Sequence, residues 1–109
     1  MIRVLICCTA HTENQVELQQ TFEDLIAKIE QEESCIGCEL YKKVKDPKEF
    51  LLVEEWVNLV HIRNHVISQN LAVLAGAGKI LCQKIHVSLE RDELIEELNT
   101  ALENRLIQR

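Results

Sequence analysis

The chain has few rings and few residues that bend a backbone. Its 109 residues include two phenylalanines, one tryptophan, one tyrosine, one proline and three glycines. So few rings make a sparse lining for a polyaromatic ligand. The glycines do not supply a phosphate loop. The stretch Gly76-Ala77-Gly78-Lys79 has part of that motif, but the earlier glycine it needs is Val73, and a strand rather than a helix is expected to follow. Long apolar runs are missing too, so no segment of about twenty residues can span a bilayer. No cluster of Lys or Arg offsets a balance of 12 basic against 18 acidic residues and a formal net charge of -6. That balance argues against a nucleic-acid backbone or an anionic membrane as partner. Internal repeats, low-complexity tracts and linkers are also lacking.

What remains is an apolar content of 47%, enough for the core of one domain, although chains this small often recruit a partner subunit. Met1 to Ala10 is apolar but too short for a signal-peptide core and lacks a cleavage site. We therefore read it as a first strand of a cytoplasmic protein. Five cysteines are an odd number, and without a secretion signal the default is reduced thiols.

Periodicity sets the element order. Ile2 to Thr9 reads as a strand buried on both faces. Leu18, Phe22, Leu25, Ile26 and Ile29 fall at three- and four-residue steps, the stripe of a helix capped near Thr12. Gly37 ends the connection, and Cys38 to Lys45 resumes as a strand. Pro47 marks a turn, and Phe50 to Val57 is the third strand. Asn58 caps a helix from about Leu59 that runs, with a break, toward Ala75. Gly76 to Gly78 then turns the chain into a fourth strand, Lys79 to Leu89. A last helix from Glu90 to Arg109 carries Leu94, Leu98, Leu102 and Leu106 at four-residue steps.

The order β-α-β-β-α-β, with right-handed crossovers, defines an α+β ferredoxin-like fold: a four-stranded antiparallel sheet with both main helices on one face. We place this domain at 1–89 and a helical extension, packed on the domain or on a partner, at 90–109. The apolar strands leave an oily second face, which a homodimer with sheet packed against sheet would cover.

Several motifs carry chemistry. Cys35-x-x-Cys38 follows a helix and opens a strand, the reverse of a redox pair's setting. Cys7 and Cys8 lie at the far end of the sheet, so the thiols cannot converge on zinc and read as buried small hydrophobes. Antiparallel pairing places Cys82 near Cys7 or Cys8. His61 and His65, one helical turn apart, lack an obvious third metal ligand, and His61 points outward. The stronger group is Glu54, Trp56 and His65. Phe50, Leu52, Glu54 and Trp56 share one strand face, and the helix from Asn58 brings His65 back over Leu52 to Glu54 after a rise of ~10 Å. A charged Glu on that face needs a partner. An imidazole beside it and an indole wall could form a proton-accepting site near neutral pH. The same residues also admit a plain reading, in which Trp56 fills the core and His65 satisfies a hydrogen bond. A register shift of one residue would send Glu54 to the other face.

Gly37-Cys38-x-x-Tyr41, Phe50-Leu-Leu-Val-Glu54-Glu-Trp56 and His65-x-x-Ser68 together resemble the antibiotic biosynthesis monooxygenase family. The resemblance implies a dimeric α/β barrel and an oxygenase with neither metal nor organic cofactor, which uses dioxygen on a small phenol- or quinol-type aromatic. It casts His65 as base or orienting donor, Glu54 as its partner, and Trp56, Tyr41 and Leu52 as substrate-binding residues. Haem-degrading relatives use an asparagine on the first strand. Leu5 to Cys8 has none, which disfavours that activity. The other expectation is a non-catalytic dimeric protein that binds a small aromatic or haem-like ligand in the same place.

Overall fold

The computed structural model describes residues 1–91 and 100–105. Four strands form one antiparallel sheet: β1 (Ile2–Ala10), β2 (Cys35–Lys42), β3 (Glu49–Trp56) and β4 (Cys82–Arg91), in the order β2-β3-β1-β4. Between them run α1 (Gln15–Ile29), α2 (Leu59–Val66) and α3 (Gln69–Leu81). This is the expected ferredoxin-like α+β fold. The strands with the most continuous apolar character, β1 and β3, take the two central places, because only there are both edges paired and one whole face covered.

Alternation assigns the faces. Val4, Ile6 and Cys8 on β1 pair with Glu54, Leu52 and Phe50 on β3, and all six are buried under the helices. From α1, Leu18, Phe22, Leu25 and Ile29 fill the space above them, with the Phe22 and Phe50 rings tilted at a centroid separation of 5.9 Å. The opposite face carries Leu5, Leu51 and Val53, all half-buried, together with exposed Cys7 and Tyr41. Charged and polar pairs frame that apolar strip, among them Arg3–Glu55 at 3.7 Å and Thr9 donating to Glu49 at 2.7 Å.

Several boundaries differ from the sequence expectation. Thr12 opens a single 3-10 turn, Thr12–Asn14, and the α-helix begins only at Gln15. The left-handed residue in the following connection is Ser34, with φ of 65°. Gly37 lies inside β2 at an irregularity between Cys35 and Gly37. The largest correction concerns Gly76 and Gly78, which form no turn. They are interior to α3, because Leu74, Gly78 and Leu81 continue one buried stripe, and burial of that stripe outweighs the roughly 1 kcal/mol that each helical glycine costs. Gly78 is a packing residue: a β-carbon there would collide with the Ile85 side chain, whereas one on Gly76 would meet open space. The helix passes straight into β4 at Cys82.

The expected break in the second helical region is real. It falls at Ile67–Ser68, where the Ser68 hydroxyl caps α3 by accepting from the Leu71 N–H at 3.2 Å. At the other end, β4 runs through Glu90 and Arg91, which pair with Arg3 and Ile2. Glu90, expected to open the last helix, is therefore a strand residue. Of that helix, residues 100–105 are described; they are helical and exposed. The rest of the expectation lies outside the described residues. Among those described, no helix is long and apolar enough to cross a membrane.

Candidate functional site

β3 presents Glu54 and Trp56 to the helix layer because their positions share parity with Phe50 and Leu52. The chain then turns at Asn58, whose side-chain oxygen accepts from the His61 N–H at 3.1 Å and fixes the start of α2. Ile62 and His65, one turn apart, become the buried positions of that short helix. His65 arrives over Glu54. Its Nε2 lies 3.1 Å from one carboxylate oxygen and 3.2 Å from the other. The Trp56 indole N–H donates to Glu54 Oε1 at 3.1 Å, and its ring sits 4.7 Å from the imidazole, centroid to centroid, tilted by 37°. The convergence expected of Glu54, Trp56 and His65 is present.

The fourth member was missed. Glu32, in the connection after α1, places both carboxylate oxygens 2.8 and 2.9 Å from His65 Nδ1. Asn70, in the first turn of α3, donates to Glu32 Oε2 at 2.9 Å. Glu32 belongs to the acidic run Glu30-Gln31-Glu32-Glu33, which on composition reads as a solvated surface. No local pattern distinguishes the one acid that folds inward. The group therefore links five side chains from β3, α2, α3 and the α1–β2 connection. It grades outward from Glu54 and Trp56, both fully buried, through His65 at 3% to Glu32, whose side chain is 19% exposed.

The electrostatics follow from that arrangement. Burial by itself would lower the His65 pKa. The hydrogen bonds and negative charges of Glu54 and then Glu32 outweigh it and raise the pKa above the usual histidine value. With a carboxylate on each ring nitrogen, imidazolium satisfies both bonds as donor. Glu54 is closed off from solvent, where an unpaired carboxylate would be strongly destabilising. Trp56 and His65 offset that cost.

Two cavities flank the sheet, and neither is lined by Glu54, Trp56, His65 or Glu32. One of 450 Å³ runs between α3 and β4, lined by apolar side chains including Ile6, Leu71, Leu74 and Val87, with Lys79 and Lys84 also in its wall. Its floor residue Ile6 pairs with Leu52, which makes Glu54 the diagonal neighbour of Ile6, at about 7–8 Å between backbones. Leu52, fully buried, is part of the packed floor. Tyr41 does not join the group. It pairs with Leu51, lies on the opposite sheet face, and lines a separate 290 Å³ cavity with Cys7, Lys42 and Phe50.

Cys8, Cys38 and Cys82 are buried small side chains as expected, and Cys35 is half-buried, whereas Cys7 is exposed on the other sheet face. Burial raises Cys8 to about 12 and Cys35 to about 11, and it raises Cys38 as well. These thiols therefore stay protonated. The Cys8 and Cys82 thiols lie close enough to influence each other's titration, as antiparallel pairing suggested, because a shift in register at Thr9/Ala10 brings Cys82 opposite Ala10. His61 binds its own cap, Nδ1 lying 2.7 Å from Asn58 Oδ1. No cluster of three metal-ligating side chains exists among the described residues.

The family model for antibiotic biosynthesis monooxygenase matches residues 1–73. The chain belongs to the antibiotic biosynthesis monooxygenase family. No curated protein sequence matches it. Among solved structures, a crystal structure described as an antibiotic biosynthesis monooxygenase superposes with a TM-score of 0.76 at 22% identity, covering 84% of this chain and 97% of the other. A conserved protein from Methanosarcina mazei gives 0.77 at 22% identity, over 83% and 90% of the two chains. A protein from Pseudomonas aeruginosa gives 0.75 at 17% identity, over 82% and 90%. At these identities the likeness is one of fold.

Proposed function

We propose that this protein is a cofactor-independent monooxygenase that oxidises a small phenol- or quinol-type aromatic with dioxygen, working as a homodimer. A phenolate is electron-rich enough to give an electron to dioxygen itself. The protein then has to remove a proton, hold the ring and exclude water. The observation that carries the reading is the fully buried Glu54 held by His65 and Trp56, a carboxylate–imidazole pair next to Ile6 in the groove's floor. The 450 Å³ groove beside it has room for a one- or two-ring substrate, and Lys79 and Lys84 suit an oxygen that becomes anionic. In this reading His65 and Glu54 together supply the proton acceptor. Trp56 and Leu52 form the rigid layer behind the ring, and Tyr41 serves the other sheet face. The apolar strip of Leu5, Leu51 and Val53 supports the dimer, since a second copy of the same strip would cover it.

Oxygen uptake with a panel of hydroquinones tests this. Wild type should show substrate-dependent uptake and His65→Ala should lose most of it. Uptake that is absent, or indifferent to the substitution, removes the catalytic assignment. The dense packing around His65 favours a second reading, a non-catalytic dimeric protein that binds a small aromatic in the groove. Binding of the hydroquinones without oxygen consumption would select it. A shifted haem absorption band on titration would extend it to haem-like ligands.

A further inference from the structure

The groove between α3 and β4 is a wedge, and one side chain crosses it. Helix α3 ends at Leu81 and β4 begins at Cys82 with no loop between them, so the two elements diverge from that junction. Ile85 pairs with Cys8 and Val87 with Ile6, which puts both on the helix side of the strand. Leu71, Leu74, Ala75 and Val87 line the wide end, and Lys79, Gln83 and Lys84 line the narrow one. Between the two ends, Ile85 reaches over to α3 and rests on Gly78, where an added β-carbon would collide with Ile85 Cδ1. Resting on the reading of this groove as the ligand site, we propose that Ile85, seated on Gly78, sets the size of the ring system that the groove accepts.

The size of the groove makes that one residue matter. Its 450 Å³ lies toward the lower end of the range of about 300–1,000 Å³ usual for small-molecule pockets, so a few carbons are a sizeable share of the space. Ile85 is 42% exposed and therefore packed on one side only, whereas Leu74 and Ile6 in the same walls are buried core residues. Truncating Ile85 joins the apolar wide end to the polar narrow end without opening a hole in the core. A longer ring system then has room to extend past Gly78 toward Lys79. A bulkier side chain at the same place shortens the wide end instead. One methylene more or less in a hydrophobic pocket is worth about 10–200-fold in discrimination, so a single residue here suffices to rank ligands by ring number.

The experiment measures binding by calorimetry, under anaerobic conditions that separate binding from oxidation, for hydroquinones of one, two and three fused rings. It compares wild type with Ile85→Ala and Ile85→Phe. Wild type should bind the one- and two-ring ligands about tenfold or more tightly than the three-ring one. Ile85→Ala should tighten the three-ring ligand by about tenfold or more, and Ile85→Phe should weaken the two-ring ligand by a similar factor. A general loss of stability weakens every ligand alike and does not move the size preference in opposite directions. An unchanged ranking of the three ligands in either variant overturns the role of Ile85 and leaves the groove as the ligand site. No binding of any of the three to wild type refutes the groove as the ligand site, and the role of Ile85 with it.

Discussion

Trp56 and Glu54, two residues apart on β3 and facing the same way, are joined side chain to side chain by an indole N–H that donates at 3.1 Å to a carboxylate with no exposure to solvent. Neighbours of equal parity on a strand point in one direction, so this contact is built into the sequence once the strand forms. It supplies one of the charged oxygen's partners, and the histidine supplies the other.

Removing the imidazole therefore leaves Glu54 buried without its cation. His65→Ala should destabilise the fold by about 3–5 kcal/mol. The double substitution Glu54→Leu with His65→Leu, which removes both charges, should cost less than the single change. Urea unfolding curves of the three proteins check the order.

The raised His65 pKa makes stability depend on pH in a defined direction. The folded state binds the proton more tightly than the unfolded chain. The contribution is thus complete below the ordinary histidine pKa of about 6.5 and fades as pH rises through the higher folded value. The stability difference between wild type and His65→Gln should shrink from pH 6 to pH 9. A difference that grows across that window contradicts the assignment.

The two glycines of α3 should respond oppositely to alanine. Gly76 faces open space, so Gly76→Ala should stabilise by up to about 1 kcal/mol through helix propensity. Gly78→Ala drives a β-carbon into Ile85 and should destabilise by about 1–3 kcal/mol. Pairing Gly78→Ala with Ile85→Val should recover part of that loss. Thermal melts of the variants decide it.

The apolar strip on the second sheet face carries the dimer expectation. Leu51→Lys, placed at the half-buried centre of the strip, should convert a dimer into a species near the 12.6 kDa chain mass while leaving the circular dichroism spectrum unchanged. Light scattering at micromolar concentration reads the mass. A wild type already at the single-chain mass would contradict the expectation.

Much of this molecule is legible in the order of its residues. Strict parity along β3 put Phe50, Leu52, Glu54 and Trp56 on one face, and the rise of a helix begun at Asn58 carried His65 back over them. Both inferences are local geometry, and both match the observed contacts. Gly76 and Gly78 show where local reasoning fails. Propensity marks them as a turn, but the buried stripe of Leu74, Gly78 and Leu81 and the close approach of Ile85 make them helical. Tyr41 was placed with the site by family pattern, and pairing with Leu51 sends it to the far side of the sheet.

The sequence by itself determined which side chains share a face, because parity and helical pitch are fixed by the backbone over a few residues. Only the tertiary structure decided that Glu32, more than thirty residues before His65 and one acid among several, folds onto the second ring nitrogen. Long-range burial selects one carboxylate from a charged run by where the chain crosses. Composition cannot distinguish the acid that meets an imidazole from those that meet water.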